Sequence, residues 1–266
     1  MKFNRDLVRQ IFNLTSILGA FGINIWANLA PIKGLTIGEI SNQIFGDVLI
    51  TPASYAFAIW GVIYLGLISF AVYQFLPAQR HQEKLRRLGY SLGFASWAQI
   101  VWVFVFLSRW FVISLVAMIA ILLPLLGGYL KLRNGDKNFS RQERWLMVIP
   151  ISIYLGWISV ATILNVAIAL TSVNWNGWEI SPVVWTSMMV AVAGIIGATV
   201  IKQQRDRAFG LVLVWALVAI AVRHWETLAI ALTSVVVAIC LVIFLIFQLL
   251  RSRRNNFKSA EKPLND

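Results

Sequence analysis

Three residues in the second half of the chain combine a ring, a small side chain and an amide at helical spacing. Trp157, Ala161 and Asn165 recur every four residues, so a helix would place them along one face. The small side chain between the ring and the amide leaves room for a planar group to slide against the backbone. The pattern therefore indicates a binding surface for a flat aromatic ligand, with ordinary helix packing as the competing interpretation.

Two other segments carry residues of the same kinds. Pro52, Trp60 and Tyr64 share one helical face at offsets of eight and four residues. Gln99 precedes Trp102 by three residues. Several tryptophans with amides nearby can line a cavity for an aromatic ligand, provided that the helices carrying them pack side by side.

The residues that other chemistries need are absent or badly placed. All eleven Asp and Glu residues fall in predicted loops or tails, and His81 and His224 lie at predicted helix ends. The sequence has no Ser/His/Asp constellation, no HExxH motif and no glycine-rich phosphate loop, and Cys240 is the single cysteine. Hydrolysis, a metal site and ion-coupled transport are therefore disfavoured, and we predict no catalytic residue.

The composition is that of a membrane protein. Of 266 residues, 59% are hydrophobic and 13% are charged, and the mean hydropathy is +0.76. These values lie outside the range of soluble domains. A bilayer core about 30 Å thick needs about 20 apolar residues per helix. We therefore predict an all-α integral membrane protein, partnered by the lipid bilayer, with about eight transmembrane helices near 11–30, 54–76, 88–107, 110–130, 145–170, 182–201, 208–222 and 227–250.

Basic residues are confined to loops and tails, which explains the net charge of +12 without a nucleic-acid partner. With eight spans, 20 of the 23 Lys and Arg residues lie on one side, against Lys33, Arg109 and Arg223 on the other. Basic loops are retained in the cytoplasm. We therefore expect both termini there, and we expect the membrane to be the bacterial cytoplasmic (inner) membrane.

Two details predict local geometry. Thr51 and Ser181 each place a capping hydroxyl just before a proline, Pro52 or Pro182, at the first position of a helix. Both pairs predict helix starts. The glycine pair in 194–197 predicts a close helix–helix contact.

The tryptophan-bearing segments resemble the translocator protein/tryptophan-rich sensory protein (TspO/MBR) family. Its second helix carries a proline, a tryptophan eight residues on and a tyrosine four later, as 52–64 does. Its fifth helix carries W-x-x-aromatic-A-x-x-L-N, which 157–165 reproduces with Val160 replacing the aromatic residue. In the third helix, 98–102 keeps the amide and the tryptophan, whereas 49–52 loses part of the family's W-x-P-P motif. The resemblance covers about 11–171.

This resemblance implies a TspO-like five-helix membrane domain at 1–171, with a pocket opening near the first outer loop. Three additional transmembrane helices at 172–250 and a basic cytoplasmic tail at 251–266 would follow. The implied function is a membrane receptor or carrier for a small hydrophobic ligand, with a tetrapyrrole (porphyrin or heme) as the ligand class. Some bacterial members are reported to degrade porphyrin in light, but we expect this chain not to be an enzyme. By position, the implied ligand-binding residues are Pro52, Trp60, Tyr64, Gln99, Trp102, Trp157, Ala161 and Asn165.

Two other functions remain open from the sequence. Eight helices can form a permease for a small uncharged solute, with the last three helices completing the path. Alternatively, the protein is a membrane scaffold whose aromatic residues serve only packing. A homodimer is compatible with each of these functions.

Overall fold

The protein is described by a computed structural model that covers residues 5–79, 81–135 and 138–260, with side chains up to Arg251. No strand occurs in this part of the chain, and long helices dominate it. This confirms the predicted all-α membrane architecture. The eight long helices are α1 Arg5–Leu29, α2 Ile59–Tyr73, α3 Ser91–Leu107, α4 Phe111–Arg133, α5 Ile149–Ser172, α6 Pro182–Gln204, α7 Arg207–Arg223 and α8 Leu228–Ala260.

Six helical segments within the described residues are long and apolar enough to cross a bilayer. They are Ser54–Tyr73, Glu83–Leu107, Phe111–Arg133, Arg141–Ser172, Pro182–Gln204 and Leu228–Arg251. α1 is outside this set, and it begins with polar residues that face inward, among them Gln10 and Asn13. α7 has 17 residues, about 26 Å of helix against a core of about 30 Å. The crossing of the membrane by all eight helices stays a prediction.

Five helices close into a ring. α1 packs against α2 and α3, α3 against α4, α4 against α5, and α5 against α2. α6, α7 and α8 pack against one another as a second group, and α7 joins the two groups by packing along α5. The described helices thus pack as a ring of five and a group of three, with α7 between them, and the predicted domain division at 171 stays a prediction.

Small residues allow the close approaches in and around the second group. A Cβ atom added at Gly194 would lie 2.5 Å from Cγ1 of Val237 on α8, closer than real carbon contacts allow. One at Gly197 would lie 2.5 Å from Cδ1 of Leu213 on α7. The predicted role of this glycine pair in close helix contact is confirmed.

The two predicted helix starts have different outcomes. Ser181 caps α6, since its hydroxyl accepts a hydrogen bond from the amide of Val184 at 3.3 Å. The prediction for Thr51 is wrong. The chain after Pro52 first forms a 3₁₀ helix, Ser54–Ala58, so the amides of α2 begin too far along the chain for Thr51 to cap them.

Candidate ligand pocket

A narrow pocket lies between α2, α3, α4 and α5, at the end of the ring that faces Lys33 and Arg109. Its cavity volume is about 30 Å³, enough for roughly one water molecule. The segment before α2 and a short helical segment at 37–44 complete its wall. The lining residues are Ile37, Ser41, Pro52, Phe57, Trp60, Trp102, Phe106, Met118, Trp157, Val160, Ala161, Leu164, Asn165 and Ile168. We call this the aromatic pocket.

The stripe on α5 forms one side of the aromatic pocket. Trp157, Ala161 and Asn165 all line it, as helical periodicity places them on one face. The indole of Trp157 is buried and meets the ring of Phe57 edge-on, with centroids 5.8 Å apart. Ala161 is only half-buried, because its small side chain leaves the gap between ring and amide open.

The amide of Asn165 is engaged on both of its atoms. Its Oδ1 accepts a hydrogen bond from Nε1 of Trp102 at 2.7 Å, and its Nδ2 donates to Oγ of Ser114 at 2.9 Å. These bonds join α5 to α3 and α4 beside the pocket. Asn165 thus joins three of the helices that form the pocket wall.

Gln99 and Tyr64 lie outside the pocket lining, in a separate polar network. Nε2 of Gln99 donates to the Tyr64 hydroxyl at 2.5 Å, and the Tyr154 hydroxyl donates to Oε1 of Gln99 at 2.7 Å. The Tyr64 hydroxyl donates to the carbonyl of Ala20 at 3.1 Å. The network joins α1, α2, α3 and α5. Tyr64 supports the pocket through its ring, which stacks on Trp60 at 5.6 Å.

A short helical segment between α1 and α2 closes one end of the pocket, and we call residues 36–45 the cover segment. Ile40 is fully buried, and the ring of Phe45 meets Phe111 edge-on at 4.7 Å. The segment begins with a capping box, in which Thr36 and Glu39 each bond the other's backbone amide. Sequence reasoning missed it, although T-x-x-E is a recognisable helix-start signature.

Sequence reasoning also missed a buried carboxylate next to α7. Asp206 is only 2% exposed, and it accepts hydrogen bonds from the Tyr129 hydroxyl, the Ser152 hydroxyl and Nη2 of Arg133. Its Oδ1 also caps α7 by accepting from the amide of Phe209 at 3.1 Å. Asp206 lies in the link between α6 and α7, as predicted for an acidic residue, but its burial was not predicted.

Two more carboxylates are buried at the end of the ring that carries Lys84 and Arg86. Asp6 accepts hydrogen bonds from Arg86 and Arg9, and Glu143 pairs with Nζ of Lys84 at 3.0 Å. The Arg86 hydrogen bond holds the pKa of Asp6 well below its usual range. All three buried acids lie at helix ends and are paired, which is the arrangement that buried charges require.

Comparison with known proteins supplies the family. A family model described as TSPO-like protein matches residues 10–247, most of the chain. No curated protein and no solved structure matches the chain. The matched range extends through α6, α7 and most of α8, beyond the region 11–171 whose motifs carry the resemblance. The chain therefore belongs to the TSPO-like protein family.

Proposed function

We propose that the protein is a membrane receptor or carrier that binds a small, flat, uncharged hydrophobic molecule in the aromatic pocket. The TSPO-like family indicates a membrane ligand-binding or transport protein. The observation that carries the finer proposal is the convergence of three indoles, Trp60, Trp102 and Trp157, on one cavity beside a small residue, Ala161. Aromatic walls with a few fixed polar groups are typical of sites for aromatic ligands.

The lining favours a neutral ligand. None of the residues that line the aromatic pocket is ionisable at neutral pH. A carboxylate brought into such a wall would lose its hydration without gaining a cation. Asn165 is the amide available to orient a polar atom of the ligand.

A tetrapyrrole fits this pocket only in part. Its flat ring system matches the indoles, but the propionates of protoporphyrin would find no cation in the lining. For heme, Met118 offers a thioether, and the lining contains neither histidine nor cysteine. The cavity of about 30 Å³ is also far below the roughly 300–1,000 Å³ of sites that enclose drug-sized ligands. A neutral molecule smaller than a porphyrin is therefore the better match.

Binding requires the pocket to widen, and the cover segment is the element best placed to move. Its contacts with the ring include the Phe45–Phe111 ring pair, and a hydrogen bond from Nη2 of Arg223 to the carbonyl of Asn42 at 3.3 Å reaches it from α7. Displacing this segment would withdraw Ile37 and Ser41 from the pocket wall and open the cavity without separating the helices of the ring.

The experiment is a titration by tryptophan quenching with three probes: pyrene, protoporphyrin dimethyl ester and free protoporphyrin. We expect binding of the neutral probes to exceed that of the free acid. Ala161→Leu should block all binding by bulk, whereas Ala167→Leu, on the same helix but outside the lining, should bind as the parent does. Equal binding by both variants would show that the indoles serve packing alone.

We also propose that both termini are cytoplasmic in a bacterial inner membrane. The support is the partition of basic residues, 20 of 23 on one side. Reporter fusions after residues 36, 136, 176 and 262 test it. A cytoplasmic signal is expected at 136 and 262, and an external one at 36 and 176.

A further inference from the structure

A second, larger opening lies between the two helix groups, on the side of the molecule that carries Lys202 and Arg205. Its volume is about 1140 Å³. α2 and α5 form one wall and α7 forms the other, and the two-residue link between α6 and α7 lies at its floor. We call it the basic cleft. It shares no lining residue with the aromatic pocket, so it is a separate site.

The floor of the basic cleft carries an excess of positive charge. Five cations line it: Arg133, Arg144, Lys202, Arg205 and Arg207. The carboxylate in the lining, Asp206, is already bonded to Arg133 at 2.8 Å and to two hydroxyls. The other four cations form no ion pair with any carboxylate in the described part of the chain. Like charges gathered in one cleft attract an anion.

The walls above this floor are apolar. Along α7 the lining runs from Arg207 to Trp215, about 12 Å of helix and close to the depth of one leaflet of a core about 30 Å thick. Val62 and Leu211 line the cleft and are also more than half exposed, so the apolar wall continues into the lipid-facing surface. Trp145, which is 61% exposed beside the floor, fits the position of an interfacial anchor.

We propose that the basic cleft binds an anionic phospholipid, with the phosphate among Lys202, Arg205 and Arg207 and an acyl chain along α7. Basic pockets between transmembrane helices are the usual sites for anionic headgroups. A soluble phosphate would use the floor alone, whereas a lipid uses both the cations and the apolar wall. The bound lipid would join α7 to the ring at the place where the two helix groups meet.

The test is native mass spectrometry of the full chain in mild detergent, titrated with dioleoyl phosphatidylglycerol, dioleoyl phosphatidylcholine or inorganic phosphate. We expect selective retention of phosphatidylglycerol. The variant Lys202→Gln/Arg205→Gln/Arg207→Gln should lose about 100-fold in affinity, at about 5-fold per cation. A matched variant, Lys131→Gln/Arg141→Gln/Arg251→Gln, removes the same charge from exposed positions outside the cleft and should retain the lipid.

A second variant tests the apolar wall. Leu211→Trp should weaken phosphatidylglycerol binding by filling the groove while leaving all the cations in place. An equal loss of phosphatidylglycerol affinity in the two charge variants would overturn the proposal, because the lipid would then be attracted by the basic surface in general. The proposal would also be overturned if phosphatidylcholine were retained as well as phosphatidylglycerol, or if inorganic phosphate at matched concentration displaced phosphatidylglycerol. If the cleft charge variant does not fold, retention of lipid by Leu211→Trp decides against the proposal.

Discussion

The aromatic pocket and the basic cleft, the two regions for which we propose ligands, differ in size, charge and surroundings. The pocket is narrow, uncharged and surrounded by α2–α5. The cleft is about forty times larger, and four of its cations have no carboxylate partner among the described residues. In the pocket, the side-chain amide of Asn165 is bonded to neighbouring helices, so we expect shape and ring stacking to decide which ligand binds. In the cleft, we expect the cations to decide which ligand binds. On these proposals the pocket has to widen before a ligand can enter, whereas the cleft is already open.

The comparison is tested most strongly by separating the two regions. We expect a chain ended after Val173 to insert and to bind pyrene within about 3-fold of the parent, because every residue of the aromatic pocket lies in 37–168. The same chain should lose all selectivity for phosphatidylglycerol, since α7 forms one wall of the basic cleft. Quenching titration and native mass spectrometry measure the two activities.

The outcome also decides the predicted domain division at 171. Loss of pyrene binding on truncation, together with loss of membrane insertion, would show that α6–α8 belong to the same folding unit as the ring. Truncation could disturb the pocket because α7 contacts the segment before α2: Nε1 of Trp215 donates a hydrogen bond to the carbonyl of Ala56 at 3.2 Å.

The second prediction concerns the place where α7 packs against the ring, beside Asp206. Asp206→Ala should lower the free energy of unfolding by about 3–5 kcal/mol, because it leaves Arg133 partly buried without its counter-charge and removes the cap of α7. Thermal unfolding in detergent measures the effect. Glu226→Ala, at an exposed position, is the matched removal of an acid and should unfold at the parent's temperature. If both variants unfold at the same temperature, Asp206 does not stabilise the packing of α7 against the ring.

The third prediction tests the indoles. Trp157→Ala should weaken pyrene binding about 5- to 150-fold, because the stacking and burial of one indole are worth about 1–3 kcal/mol. Trp60→Ala should act in the same direction with less effect on folding, since Trp60 is only half-buried. Trp225→Ala removes an indole that is 74% exposed and serves as the control. Similar affinities for all three variants would contradict the assignment of the pocket.

Helical periodicity made one half of the pocket predictable. Trp157, Ala161 and Asn165 share a face of α5 whatever the helix packs against, so the sequence alone places them together. The same rule cannot decide what that face meets. Gln99 and Trp102 lie on one helix, yet Trp102 lines the pocket and Gln99 bonds Tyr64 and Tyr154, because each meets a different neighbour.

The basic cleft was beyond prediction for a related reason. Asp206 is buried by Tyr129 and Ser152, which precede it by 77 and 54 residues. Their approach depends on how α7 packs along α5, which no local pattern specifies. The basic residues at 202–207 predict which side of the membrane this loop lies on. The sequence does not show whether those residues lie on a flat surface or beside a cleft.

The last and smallest predicted effect concerns the link from the end of α7 to the segment before α2. Nε2 of His224 donates to the carbonyl of Thr51 at 3.1 Å, next to Pro52 of the pocket. Burial lowers the pKa of His224, and the neighbouring Arg223 adds to this effect. The fold therefore opposes protonation. The stability that neutral His224 contributes is present above its ordinary pKa of about 6.5 and is lost as the pH falls below it.

Between pH 7.5 and 5.5 we therefore expect a small fall in the detergent unfolding temperature, below the roughly 4 °C that 1 kcal/mol produces in a chain of this size. His224→Gln should remove this fall, because the amide can still donate to the Thr51 carbonyl but does not titrate. His81 is the second histidine, and His81→Gln shows how much of the pH dependence comes from elsewhere. An unchanged pH dependence in His224→Gln would mean that protonation of His224 does not cause the fall in unfolding temperature between pH 7.5 and 5.5.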